Sequence, residues 1–473
     1  MVYSTSEAVQ QLHPHYRIAI VDTQLAVHIV ESLFILNNEL LPEKRLVKSY
    51  ETEGDGKTYL FEIPEGVMFH PPVSRELVAD DVVASLQQVK NDQATVASED
   101  MAPVNGIEAV DDYTVRLTLD HTYPALISSV LARTDTAILP REHLDKDAEP
   151  VGTGPYVFDT WERGNFARLE KFDDYRMDGV PYFDEIETNP IAENSTRLDG
   201  LLSGDSHVVV NVPTNNADRV ENDDSLELIS YSGFVNEFLA FNNAKEPFDD
   251  VRVRRAINHT IDVEQAIEFA LDGFGSPAVT VLPAFHAYAI DADPVPQDFE
   301  EATRLLEEAG YGDGFEMEFL LPEVYTPSVE LGTPMQQWLA QVGIDCELQV
   351  TTWDNVLERT FSTGEYDMTS FPFLGTHATP FGAFNKICHS EGSLNYFNYA
   401  SDEMDTTVEN AARTTDTEEQ RELYLEAQRI YRRDVPFINV FYWDQLYGRR
   451  NSVKGDLVWG PSELRLWNNW FDD

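Results

Sequence analysis

The 473-residue sequence has little positive charge, few cysteines and no long apolar segment. Only 33 residues are lysine or arginine, nine of them lysine, against 84 aspartates and glutamates. A formal net charge of −51 would repel the phosphate backbone, so nucleic acid is excluded as a partner. Because no apolar run reaches the roughly 18 to 20 residues of a membrane span, we expect no transmembrane helix.

The N-terminus shows no charged segment followed by the apolar segment of a signal peptide. Two explanations remain open from the sequence. Either an export signal was removed and the protein works outside the cell, or the protein stays in the cytoplasm.

The acidic residues are spread along the chain among apolar residues, which is typical of a solvated surface and not of a disordered acidic tail. In dilute buffer this charge would destabilise the compact state by self-repulsion. At about 1 M salt the Debye length falls to roughly 3 Å and most of the repulsion is screened. We therefore predict a halophilic protein with an acidic surface.

The sequence has only two cysteines for a disulfide and few residues that could bind a metal. One disulfide between Cys346 and Cys388 and two separate buried thiols explain the cysteine count equally well. His13 and His15 are too few for a metal site. Because the sequence also lacks a phosphate-binding loop, zinc-ligand spacing and a nucleophile motif, we predict no enzyme activity, no cofactor and no metal.

Hydrophobic periodicity predicts several elements. Alternating apolar residues indicate strands over 59–63 and 113–119, and apolar residues at helical spacing indicate an amphipathic helix from Arg75 to Lys90. At 152–156 (GTGPY), two glycines and a proline predict a sharp turn with positive φ at a glycine, followed by a strand.

Ordered segments along nearly the whole chain resemble extracellular solute-binding proteins of the peptide and nickel type, the ligand-capturing subunits of ABC importers. The turn at 152–156 is one, and the most specific is 242–257 (NNAKEPFDDVRVRRAI), where Asp249 or Asp250 can cap a helix. The other segments are 30–34 (VESLF), 65–70 (EGVMFH) and 300–311 (EEATRLLEEAGY), with Gly310 expected to end that helix.

The resemblance implies an α/β fold, a two-lobed clamp like the class II periplasmic binding proteins, with an additional inserted α+β subdomain. Length alone also predicts two or three lobes, because one core stops growing at about 250–300 residues. The predicted first lobe is discontinuous and comprises residues 1–39, 151–235 and 441–473. The predicted insertion is 40–150 and the second lobe is 236–440.

The same resemblance implies a function. The protein would capture a small ligand, oligopeptide-like or another small organic solute, between two lobes and deliver it to a membrane permease with its ATPase. A cytosolic ligand sensor with the same clamp is the alternative. We expect a monomer at the extracellular face of the cell membrane, associated with the membrane only through an N-terminal anchor.

Peptide-binding relatives carry a segment close to G-W-x-x-D-x-x-D/E-P, whose Trp packs on the ligand and whose Asp takes its α-amino group. The corresponding stretch here is 371–381 (FPFLGTHATPF), where counting back from Pro380 puts Thr376 at the Asp position. An unpaired ammonium in a dry cleft is costly, so this loss argues against peptides with a free N-terminus. His377 is either a substitute polar contact or a structural loop residue. The predicted ligand contacts are Phe371, Phe373 (at the Trp position), Thr376, His377, Phe381, Tyr231 and Asn236.

Overall fold

The structure, a computed structural model, describes residues 1–17, 19–54, 56–373, 379–459 and 463–472. It confirms the predicted α/β class. The chain divides into two compact units, the first comprising Met1–Tyr231 and Gln445–Asp473 and the second Ser232–Asp444. The lobe and insertion boundaries inferred from the sequence stay a prediction.

In the N-terminal part of the first unit, strands alternate with a few helices. Its strands are β1 (Val2–Thr5), β2 (Phe34–Leu36), β3 (Pro42–Lys44), β4 (Ser49–Thr52), β5 (Thr58–Glu62), β6 (Val104–Asp111), β7 (Thr114–Leu119), β8 (Tyr156–Glu162), β9 (Phe166–Lys171), β10 (Glu185–Pro190), β11 (Val208–Val210) and β12 (Leu226–Phe241), which continues into the second unit. Its helices are α1 (Ile20–Ala26), α2 (Ala79–Asn91), α3 (Asn194–Ser203) and α4 (Ala217–Glu221).

The second unit contains more helix. Its strands are β13 (Gly275–Pro277), β14 (Phe315–Pro322), β15 (Ile344–Thr351), β16 (Met368–Phe373) and β17 (Phe437–Arg450), within which the chain returns to the first unit. Its helices are α5 (Val251–Asn258), α6 (Val263–Leu271), α7 (Phe299–Ala309), α8 (Thr326–Ala340), α9 (Trp353–Leu357), α10 (Pro380–Ala383), α11 (Asp402–Arg413) and α12 (Thr417–Asp434). The first unit is completed by β18 (Val453–Lys454), β19 (Val458–Trp459), β20 (Glu463–Leu464) and β21 (Trp470–Phe471).

Two sheets organise the first unit. In one, β1 runs parallel to both β10 and β11, and β9 and β8 follow β10 in antiparallel order. In the other, β4, β5, β7 and β6 form an antiparallel sheet against which α2 packs. This smaller sheet and its helix lie within residues 40–150, the segment for which an insertion is predicted.

In the second unit, β14 lies between β15 and β16 and runs parallel to both, and β12 is antiparallel to β16. Successive residues of a strand face opposite sides of the sheet. Accordingly Leu239 and Phe241 join the apolar core formed with α5 to α8, whereas Phe238 and Ala240 join the core formed with α11 and α12. Helices therefore cover this sheet on both faces.

The helix predicted to begin at Arg75 begins at Ala79 instead. Arg75 is drawn into ion pairs with Asp81 and Glu142, and the Asp81 carboxylate accepts the backbone N–H of Val78. These contacts satisfy one of the free N–H groups at the start of the helix and hold the preceding residues in a non-helical conformation.

The turn at 152–156 leads into β8 as predicted, but the prediction of positive φ at a glycine is wrong for both Gly152 and Gly154. The glycines serve a close approach of two backbone segments. A Cβ at Gly152 would lie 2.1 Å from the carbonyl oxygen of Ile29, and one at Gly154 would lie 2.6 Å from that of His28. The buried His70 fixes the turn, because its Nδ1 accepts the Gly152 N–H (3.3 Å) and its Nε2 donates to the Gly154 carbonyl (2.9 Å).

Both cysteines are buried free thiols, so the structure has the second of the two arrangements that the sequence left open. Burial raises the pKa of the Cys346 thiol to about 12, which keeps it protonated and unreactive. Within the described ranges, no helix combines the length and apolar character needed to cross a membrane.

Candidate functional site

Three parallel strands of the second unit end at the same edge of its sheet. Tyr325 follows the end of β14 and precedes the first residue of α8, and Trp353 follows β15 as the first residue of α9. Phe371 lies near the end of β16. In α/β sheets, ligands bind outside the carboxyl ends of the parallel strands. The strand order therefore places aromatic side chains at the edge where a binding site is expected.

These residues belong to a continuous set of rings, here called the aromatic wall and comprising Tyr325, Trp353, Phe361, Phe371 and Tyr396. The ring centroid of Phe371 lies 5.3 Å from that of Trp353, 5.7 Å from that of Tyr396 and 6.4 Å from that of Phe361. Tyr325 extends the wall beyond Trp353 (5.4 Å), and Phe361 and Tyr396 are 3.9 Å apart. The Tyr325–Trp353 and Trp353–Phe371 pairs are edge-to-face and the Phe371–Tyr396 pair is stacked, which are favourable geometries for aromatic rings.

The wall has a buried base and a more accessible surface. Phe371 is 3% exposed and packs edge-on against Phe238 of β12, at 5.0 Å. Phe361 is 46% exposed, and Tyr325, Trp353 and Tyr396 are partly buried. Aromatic side chains held on a rigid base are typical walls of small-molecule sites.

The second unit also carries a tyrosine hydroxyl of the wall and a buried amide pair on its strands. Burial raises the pKa of Tyr396 well above its usual value, with a smaller contribution from Tyr366, so its hydroxyl is neutral at physiological pH. Asn236 is fully buried and its Nδ2 donates to Oδ1 of Asn439. The Asn439 Nδ2 is also buried and makes no hydrogen bond within the described residues. The amide pair therefore retains one donor that a ligand or a water could use.

The described predicted contacts lie on the following elements. Phe371 belongs to the aromatic wall, and Asn236 pairs in strand register with Phe373, the last residue of β16. Phe381 is partly buried in α10. Tyr231 belongs to the first unit and packs against the core of that unit. Thr376 and His377 lie outside the described residues, so their roles stay predictions.

Four members of the wall were not among the contacts predicted from the sequence, namely Tyr325, Trp353, Phe361 and Tyr396. A usable signal existed for two of them, because Tyr325 comes three residues after the apolar strand β14 and Trp353 comes two residues after β15, whose apolar and polar residues alternate. Phe361 and Tyr396 carry no such signal, since they join the wall only through the tertiary fold. Within the ranges described, no group of three or more His, Cys, Asp or Glu side chains could hold a metal ion.

Comparisons with known proteins agree on one family. The profile of the bacterial extracellular solute-binding proteins, family 5 middle region, matches residues 42–395. The glutathione-binding protein GsiB of Pectobacterium atrosepticum is 30% identical over 439 residues, which cover 88% of this chain and 83% of that protein. GsiB of Escherichia coli is also 30% identical, over 445 residues, with 88% and 83% covered.

Solved structures show the same fold. The ABC transporter-associated periplasmic binding protein DppA from Helicobacter pylori, in complex with the peptide STSA, has a TM-score of 0.77 at 25% identity. The match covers 100% of this chain and 98% of DppA. HbpA2 from Haemophilus parasuis has a TM-score of 0.91 at 22% identity, covering 100% and 99%, and is similar in fold.

Proposed function

We propose that this chain, which belongs to the bacterial extracellular solute-binding proteins of family 5, binds a small peptide-like solute on the aromatic wall. Proteins of this family capture solutes for ABC importers and are not enzymes. The observation that carries this proposal is the meeting of Tyr325, Trp353 and Phe371 at the carboxyl ends of three parallel strands. The bound solute would pass to a membrane permease and its ATPase.

The choice of a peptide-like solute follows from the wall and from the relatives. Rings on a buried base suit the apolar side of an amino-acid derivative, and the relatives are named for glutathione or solved with a peptide. By the count back from Pro380, Thr376 is predicted to take the position at which peptide-binding relatives carry the Asp for a free N-terminus. Glutathione presents its amino group differently, since the γ-glutamyl linkage leaves that group beside a carboxylate. The proposed ligand is therefore a small peptide derivative of this type and not an ordinary free-amine peptide.

The proposed setting follows from the family and the charge. Family 5 proteins are extracellular, and we propose that this chain works as a monomer at the outer face of the cell membrane. The net charge of −51 favours a salt-rich medium there, as argued from screening.

Calorimetric titration in about 1 M KCl with glutathione, trialanine and N-acetyl-trialanine tests the ligand class. We expect glutathione to bind, and trialanine to bind at least about tenfold more weakly than its acetylated form because its ammonium would lack a carboxylate partner. Sub-micromolar affinity for trialanine would refute the argument from Thr376. Absence of heat with all three compounds would count against a peptide-like solute.

A pair of exposed phenylalanines tests the location of the site. Phe361 is 46% exposed within the wall, and Phe269 is 57% exposed on α6 and outside the wall. We expect Phe361→Ala to weaken binding of the strongest ligand by about tenfold, or about 1.4 kcal/mol, through the lost ring contact. Phe269→Ala should leave binding unchanged. Equal affinities of the two variants would place the ligand elsewhere.

A further inference from the structure

A buried carboxyl group lies at the junction of the elements that carry the aromatic wall. Glu237 of β12 is 0% exposed. Its Oε1 accepts hydrogen bonds from the hydroxyl of Ser328 (2.6 Å) on α8 and from that of Ser370 (2.5 Å) on β16. Its Oε2 makes no hydrogen bond within the described residues. The groups that face it from α8, β16 and β17 are Ser328, Ser370 and Trp443, and none of them is charged or titratable.

Each donor is close in sequence to a member of the wall. Ser370 immediately precedes Phe371, and Ser328 lies in the first turn of α8, three residues after Tyr325. Since neighbouring residues of a strand point to opposite faces, Glu237 lies on the sheet face opposite to Phe238, the residue that supports Phe371. The carboxyl group therefore ties together β12, β16 and the start of α8.

The two protonation states hold these elements differently. An ionised carboxylate only accepts, so both serine hydroxyls must donate to it, and hydrogen bonds to a charged acceptor are shorter and stronger than neutral ones. A protonated carboxyl carries its own donor and makes weaker, neutral bonds to the serines. Ionisation is nevertheless costly for a fully buried carboxyl group.

These opposing effects nearly balance at neutral pH. Burial raises the pKa of Glu237, and the hydrogen bonds from Ser328 and Ser370, with a smaller contribution from the nearby Trp443 indole, only partly offset it, so that the pKa is about 7. Both protonation states are therefore populated under physiological conditions.

We propose that Glu237 is a positioning residue that couples the pH of the medium to the aromatic wall, the ionised form holding β16 and α8 in the arrangement that captures the ligand. The link to capture rests on the proposed function, whereas the link to the wall does not. A ligand that prefers the ionised form must release protons on binding, because coupling between two sites is reciprocal.

A probe on the wall tests the inference without any ligand. Both natural cysteines are buried, so Phe361→Cys offers one exposed thiol for a trifluoromethyl label. We expect the ¹⁹F shift of the labelled, ligand-free protein in about 1 M KCl to titrate with a midpoint near pH 7. The titration should vanish when Glu237→Gln is added and persist when the exposed Glu316→Gln on β14 is added. Ser370→Ala, which keeps the carboxyl group but removes one donor, should move the midpoint upward.

Binding completes the test with glutathione as the probe and Phe361 intact. We expect its affinity to be about threefold weaker at pH 6 than at pH 8, with about 0.3 proton released at pH 7, and neither effect in Glu237→Gln. A ¹⁹F shift that does not titrate, or that titrates equally in Glu237→Gln, would overturn the inference whatever glutathione does. A titration removed by Glu237→Gln supports it, and a failure of glutathione to bind would then count against the proposed function alone.

Discussion

Replacing Glu31 with glutamine should remove one of the main electrostatic supports of the first unit. The Glu31 side chain is 3% exposed, and its Oε1 lies 2.6 Å from Nε of Arg45. Arg176 contacts both carboxylate oxygens, and the hydroxyls of Thr153 (2.8 Å) and Tyr175 (3.1 Å) donate to them. The network therefore joins Glu31 to the turn at 152–156 and to two partly buried cations.

The magnitude follows from the pKa of this group. Burial alone would raise the pKa of Glu31, but the charges of Arg45 and Arg176, with the hydrogen bonds from Arg176 and Thr153, outweigh burial and lower it from 4.5 to about 2. A carboxyl whose folded pKa is depressed stabilises the protein above its unfolded pKa. That stability, about 3 kcal/mol here, is lost as the pH falls from about 4.5 towards 2.

Urea unfolding of the wild type, Glu31→Gln and the exposed Glu51→Gln between pH 7 and pH 3, in about 1 M KCl, measures this contribution. We expect Glu31→Gln to be less stable by about 3 to 5 kcal/mol at pH 7, because two partly buried arginines lose their anion. The difference should shrink below pH 4.5 as the wild-type carboxyl becomes protonated. Glu51→Gln should stay within about 0.5 kcal/mol of the wild type. Stabilities of the wild type and Glu31→Gln that run parallel over this range would refute the assignment of the charge.

Two further predictions concern the turn and the surface. Gly152→Ala should lower the free energy of unfolding by more than about 2 kcal/mol, because its Cβ would meet a backbone oxygen that cannot move aside. Gly54→Ala, with open space around it, should be neutral in the same unfolding assay. Equal effects of the two substitutions would contradict the close-approach explanation. Lowering the KCl concentration from about 1 M to 0.1 M should lower the Tm measured by calorimetry by about 5 °C or more, because the charge of −51 loses its screening. A Tm independent of salt would refute the halophilic interpretation.

The elements that the sequence predicted well are those specified by local signals. Asp250 caps α5 through a hydrogen bond from the Arg252 N–H, one of the two alternatives that the sequence offered. Gly310 ends α7 in the left-handed conformation, as expected from its position after an apolar stripe. Caps and stripes depend on residues within one or two turns of each other, so a sequence specifies them without knowledge of the tertiary fold.

The reason for the glycines in the turn at 152–156 could not be predicted from the local sequence. Glycine is required there, but the requirement comes from Ile29 and His28, more than 120 residues earlier in the chain. The local pattern of two glycines and a proline permits positive φ and close packing equally. Only the long-range contact distinguishes the two, and it makes Gly152 intolerant of any side chain although its φ is ordinary.

The candidate site depends even more on long-range order. The aromatic wall exists because β14 runs parallel to both β15 and β16, so residues separated by tens of positions end at one edge. Glu237 has the same origin, since in the sequence it is one polar residue in an apolar strand and its two serine partners lie 91 and 133 residues away. A pattern of alternating polarity would place such a glutamate in water. The sheet is covered by helices on both faces instead, and that burial converts an ordinary carboxyl into one that can exchange its proton near neutral pH.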